Sequence, residues 1–207
     1  CRRASSSPCR GRGSGRGLLM GNRGGRFHDP ETQTAEGRPW VSSRWIACKT
    51  CFGNRQRAVW GTGYTEVFFL DEVTALSAGH RPCFECRRLD ALDFAASMGD
   101  AMGARRAPSA DMMDTVLHGE RLAGRSKAVH VASLDQLPDG AVITGAMPEH
   151  KAYAVRGDQL LGWTPKGWAL PVRRPKSLLV GLLTPPSIVG ALKAGYRPAW
   201  HSSATPG

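Results

Sequence analysis

Four cysteines fall into two pairs of equal spacing, Cys48-x2-Cys51 and Cys83-x2-Cys86. A pair of thiols three residues apart offers two soft donors from one turn, and two such pairs suit tetrahedral Zn²⁺. The 31 residues between the pairs exceed the roughly 15–20 of compact zinc ribbons. Closing the longer loop costs little more, because closure entropy grows slowly with length. The spacing therefore predicts one zinc site with Cys48, Cys51, Cys83 and Cys86 as ligands. Four merely buried or free cysteines would not need paired spacing. A thiol–disulfide protein would need a thioredoxin-like βαβ pattern around one pair, and neither has it.

Cations gather around these pairs: Lys49, Arg55, Arg57, Arg81, Arg87 and Arg88. Two readings stay open for them. They balance the negative charge of a zinc–tetrathiolate centre, or they hold the phosphates of a nucleic acid, which makes binding steeply salt-dependent. His80, beside Cys83, reads as a surface turn residue once four cysteines are available as ligands.

Local signals indicate the elements that must position the cysteines. "RWIAC" (44–48) reads as a short strand entering the first pair. "YTEVFFLDE" (64–72) is β-branched and aromatic, and reads as a second strand. Asp71 is placed to cap a helix over 72–78, with Gly79 as its stop and Pro82 beyond. A helix over about 84–97 would set Phe84, Leu89, Leu92 and Ala96 along one side. Further on, "DMMDTVLHGERL" (111–122) reads as a helix with Met112, Val116 and Leu117 inward. Two strands flank a tight turn at Arg156-Gly157-Asp158. Thr184, followed by Pro185 and Pro186, is the expected N-cap of a last helix that stops at Gly195. "ALSAGHRP" (75–82) and "ALKAGYRP" (191–198) match at six of eight positions, which reads as one helix-stop solution used twice.

The stretch "YTEVFFLDEVTALSAGHRPCFECRR" resembles the second half of the metal-binding domain of the Ada DNA-repair proteins. The shared elements are Val67-Phe68-Phe69, Ala75-Leu76, Ala78-Gly79, Arg81-Pro82-Cys83 and Cys86-Arg87, and the likeness covers roughly residues 44–90. The first pair here is C-x2-C where that family has C-x3-C. The resemblance implies that all four cysteines hold zinc and that the protein contacts DNA, for which the cations beside the site, Arg55, Arg57, Arg81, Arg87 and Arg88, are the candidate phosphate ligands. It further implies that Cys48 accepts a methyl group from a DNA methylphosphotriester. A zinc-bound thiol stays deprotonated at neutral pH, and the thiolate is the nucleophile.

The 207 residues carry a formal net charge of +11, spread unevenly. Residues 1–50 hold 10 Lys/Arg against 3 Asp/Glu, residues 51–150 hold 10 against 13, and residues 151–207 hold 8 against 1. Basic ends around a neutral centre suit a polyanionic partner or a solubilising tail. No run of 18 apolar residues occurs, so no membrane span is expected. The chain opens on Cys1, and "CRRASSSPCRGRGSGRG" has no apolar core of a secretory signal. It has a transit-peptide flavour but reads better as a fragment start or an upstream over-read, and residues 1–17 are expected to be disordered. The remaining cysteines fit a reducing, cytoplasmic setting.

"GNRGGRFHD" lacks the Lys-Ser/Thr of a P-loop and reads as a flexible basic loop. Trp163, Trp168 and Trp200 read as core or rim aromatics. His118 and Glu120, two apart on a helix, make no catalytic pair. The expected fold is α+β: a basic tail (1–17), a zinc-centred module of short strands and two helices (18–100), a linker (101–110) and a mixed C-terminal α+β module (111–207). The expected function is a zinc-binding, DNA-contacting protein. Its alternatives are a suicidal methyl acceptor using Cys48 and a structural-zinc module for protein interaction.

Overall fold

Asp71 begins a helix because its side chain accepts the Thr74 amide while Thr74 Oγ1 accepts the Asp71 amide, a reciprocal capping box. That helix, α1 (Glu72–Ser77), is only six residues long. So short a helix is unstable in isolation and depends on tertiary packing. Ala75 packs against the apolar face of a four-stranded sheet, Leu76 faces three other helices, and Val73 faces a second sheet. The computed structural model describes residues 17–35, 37–53 and 59–205, and over them the protein is α+β. The expected tail lies outside the described residues, except for Gly17.

The first sheet has the order β3-β1-β2-β4, formed by β1 (Leu19–Asn22), β2 (Ile46–Lys49), β3 (Val67–Phe69) and β4 (Arg81–Pro82). β1 pairs antiparallel with β2 and β3, while the two-residue β4 runs parallel to β2. β1 corrects in part the expectation of a flexible loop at "GNRGGRFHD": the run Leu19-Met20 starts an inner strand that carries Gly21 and Asn22 with it, all four residues buried.

Helix α2 spans Arg88–Ala101. Its buried side is Ala91, Phe94, Ala95 and Met98, while Leu89 (83% exposed) and Leu92 point outward. The expected apolar face is therefore wrong. The true stripe has the i, i+3, i+4, i+7 spacing, but alanines carry half of it. Helix α3 (Ala110–Arg121), capped by Ser109, buries Met113 and Leu117 and leaves Met112 exposed. A short hairpin of β5 (Leu122–Ala123) and β6 (Ser126–Lys127) follows.

The remaining strands, β7 (His130–Ser133), β8 (Val142–Thr144), β9 (Tyr153–Arg156), β10 (Gln159–Thr164), β11 (Gly167–Arg173) and β12 (Leu179–Leu182), form an antiparallel sheet of order β11-β10-β9-β8-β12-β7. The expected β9–β10 turn is present, with Gly157 at φ +58°. Helix α4 (Pro186–Lys193) follows, but Pro185 occupies its N-cap. Thr184 is buried and its hydroxyl accepts the Val142 amide at 2.9 Å, so it ties β8 instead of capping the helix.

The repeated octapeptide is a repeated helix stop. His80 N–H donates to Ala75 C=O and Tyr196 N–H to Ala191 C=O, both at 3.0 Å, around Gly79 (φ +82°) and Gly195 (φ +121°). Leu76, Phe94, Met98, Met113, Leu117 and Ile188 build one core in which all four helices take part.

Candidate metal centre

β2 delivers Cys48, and the parallel pairing of Ala47 with Pro82 brings the chain after β4 alongside it. Cys83 N–H donates to Ala47 C=O at 3.1 Å, which fixes Cys83 beside Cys48. The turn over 84–87 folds Cys86 back, and Lys49 N–H donates to Cys86 Sγ at 3.3 Å. The Sγ atoms of Cys48, Cys83 and Cys86 all lie within 4.8 Å of one another. Tetrahedral zinc with Zn–S of about 2.3 Å requires sulfurs about 3.8 Å apart, so the group fits such an ion. All three are buried, flanked by Met20, Ile46, Phe52 and Phe68.

The sulfurs do not titrate alike. A hydrogen bond from Cys48 is the main force pushing Cys83 down to about 5, and the amides of Cys86 and Glu85 assist. Cys48 is pushed up, first by giving that bond and then by burial, and Cys86 is raised by burial. One sulfur of the three is thus ready to be a thiolate at neutral pH, which is the form a metal takes.

Cys51, the fourth expected ligand, is exposed just beyond β2, and its sulfur is in a disulfide. Of the cations expected to bind nucleic acid, Arg55 and Arg57 lie outside the described residues. Arg81 is buried and grips Asp114 with two bonds, Nε at 2.9 Å and a terminal nitrogen at 2.7 Å. Arg87 is buried too and bridges Glu72 and Asp90, each at 2.8 Å. Both guanidiniums are therefore engaged inside the fold, and Arg88 and Lys49 are left exposed beside the cysteines. His80 is fully buried instead of sitting on a surface turn. Its Nε2 accepts from Arg23 Nε at 3.3 Å, and burial holds its pKa well below the usual histidine range.

Two groups escaped the sequence reading. Asp71 and Glu72 act beyond α1: Asp71 Oδ2 accepts from Trp168 Nε1 at 2.7 Å, and Glu72 Oε1 accepts from Tyr196 O–H. Arg23, expected in a flexible loop, lies 4.2 Å over the Trp45 ring, and Arg121 lies 4.0 Å from the same ring. The "LDE" preceding a helix was a visible signal for the first group, but its partners lie about a hundred residues away. Trp168 is buried, Trp200 is half-buried against it and Trp163 is exposed. Glu120 binds Ser187, and His118 Nδ1 meets Arg121, so neither forms a reactive pair.

Comparison with protein families, characterised proteins and solved structures finds no match to this chain. Among the described residues, no helix is long and apolar enough to cross a membrane.

Proposed function

We propose that Cys48, Cys83 and Cys86 bind one zinc ion whose role is structural, in a protein that contacts DNA through its basic surface. The observation that carries this reading is the convergence of three buried sulfurs from two segments of chain 35 or more residues apart in sequence. A tetrahedral ion has one corner left, and Cys51, three residues from Cys48, supplies it once its disulfide is reduced. The ion joins β2 to the turn before α2, and such binding energy is folding energy. Burial of Cys48 favours a structural over a methyl-accepting thiolate, since a nucleophile needs access. The net charge of +11 supports the DNA partner, and Arg88 and Lys49, next in sequence to the cysteine segments, are exposed.

Metal analysis of protein purified under reducing conditions tests the centre. One zinc per chain is expected, and Cys83→Ser should release it. A folded, metal-free protein overturns the proposal. Duplex DNA should bind at low salt and fade steeply toward physiological salt. Incubation with methylphosphotriester DNA should leave the intact mass unchanged. A single added methyl on Cys48 would restore the acceptor role.

A further inference from the structure

At the far end of β2 from the cysteines, three cations gather, and among the described residues none of them forms a salt bridge. Arg121 is fully buried, donating to Gly79 C=O at 2.9 Å and Ser43 C=O at 2.6 Å, while its Nε has no partner. Arg23 lies over the same indole as Arg121, as described above. Lys127, paired across the β5–β6 hairpin with the residue after Arg121, has a buried ammonium with no hydrogen-bond partner. Asp114 gives both oxygens to Arg81, and Glu120 gives both to the uncharged Ser187, so the Glu120 charge still acts on Lys127 but is the weakest influence there. Unpaired buried charge is costly, and several like charges together are more so.

We propose that Arg23, Arg121 and Lys127 form a binding site for a phosphate-type oxyanion. Such an anion matches the donor set, since Arg121 Nε and the Lys127 ammonium have unspent N–H groups and guanidinium forks suit phosphate oxygens. Arg23, Lys127 and His118 are only partly buried, so the cluster borders on solvent, while Lys127 Nζ and Arg121 Nε lie beneath that surface. His80 keeps to the neutral form and accepts from Arg23, which turns that guanidinium without cancelling its charge. Burial, followed by the charges of Arg121 and Arg23, holds the Lys127 pKa down to about 8, in keeping with a missing counter-ion. None of these residues is a cysteine ligand, so the site stands or falls separately from the metal centre.

The test is thermal melting of the full chain in sodium phosphate against sodium chloride at matched ionic strength. At a hundredfold excess over its dissociation constant, phosphate should raise the Tm by about 5–10 °C. Lys127→Met should lose that rise and should melt above the natural protein when phosphate is absent. Arg23→Met, checked for fold by circular dichroism, should lose the rise as well. Coincident phosphate and chloride melts for the natural protein overturn the proposal, and so does a Lys127→Met protein that keeps the full rise. A short DNA duplex added in competition separates the sources. Displacement of phosphate assigns the site to a phosphodiester backbone, and undisturbed phosphate binding assigns it to free phosphate or a small phosphate ester.

Discussion

Trp168 gives its indole N–H to the buried carboxylate of Asp71 at 2.7 Å, across 97 residues of chain. The same oxygen accepts His201 N–H at 3.0 Å, and the other oxygen caps α1 through Thr74. Asp71→Ala removes a helix cap and strands two buried donors. Each loss costs on the order of 1 kcal/mol or more, so destabilisation of about 3 kcal/mol is expected. Urea denaturation followed by tryptophan fluorescence measures it, and a loss under 1 kcal/mol would reduce this carboxylate to a simple cap.

Arg81 and Asp114 form a buried pair, and removing one member leaves the other uncompensated. Asp114→Asn should cost about 3–5 kcal/mol. The double replacement of Arg81 and Asp114 by methionine and leucine should recover much of that loss. A double variant as unstable as the single one would show that the pair contributes more than its own charges.

Gly79 and Gly195 occupy equivalent positions in the two helix stops but differ in surroundings. A Cβ on Gly79 would lie 2.6 Å from Arg121 Cδ, whereas one on Gly195 would meet nothing within 4 Å. Gly195→Ala should cost about 1–2 kcal/mol from its left-handed backbone alone. Gly79→Ala should cost clearly more, and equal losses in a thermal melt would contradict this.

The Lys127 pKa, lowered from 10.5 to about 8 in the fold, sets a pH window. Its folded value lies below its unfolded one, so the unfolded chain binds the extra proton between these limits. Stability of the phosphate-free protein should therefore rise with pH across 8 to 10.5, relative to Lys127→Met. Arg23, Arg121 and Glu120 face the same group, and only the difference between the two proteins isolates it. A flat difference would place Lys127 in water.

Cys51→Ser should retain zinc, bound more weakly, because three converging sulfurs remain. Cys48→Ser should lose it. Zinc stoichiometry by mass spectrometry under native conditions distinguishes the two, and identical loss from both would make Cys51 an essential ligand.

Which features were legible follows from how far their causes reach along the chain. Asp71 and Gly79 mark the ends of α1, and Gly195 the end of α4, through bonds spanning three to five residues, so their roles stand in the sequence itself. Paired spacing is a local signature, and it pointed to three cysteines that converge, Cys48, Cys83 and Cys86, but not to the disulfide that holds Cys51 apart from them. The α2 face was not, since Ala91 and Ala95 carry little apolar signal and exposed Leu89 and Leu92 carry more. Arg81 and Arg87 looked like phosphate ligands because their partners, Asp114 and Glu72, are distant in sequence. Thr184 looked like a cap for the reverse reason: its bond to Val142 spans 42 residues, and only the assembled sheet reveals it.

The clamp on α1 also orders events during synthesis. Asp71 and Glu72 receive their distant donors from Trp168, Tyr196, Ala199 and His201, all in the last fifth of the chain. A nascent chain emerging from the ribosome has α1 and the cysteine turn exposed long before those donors exist. Metal can reach the thiols in that interval, while the helix beside them waits to be sealed. The final segment then acts as a latch, since its donors close on the two carboxylates at the start of α1.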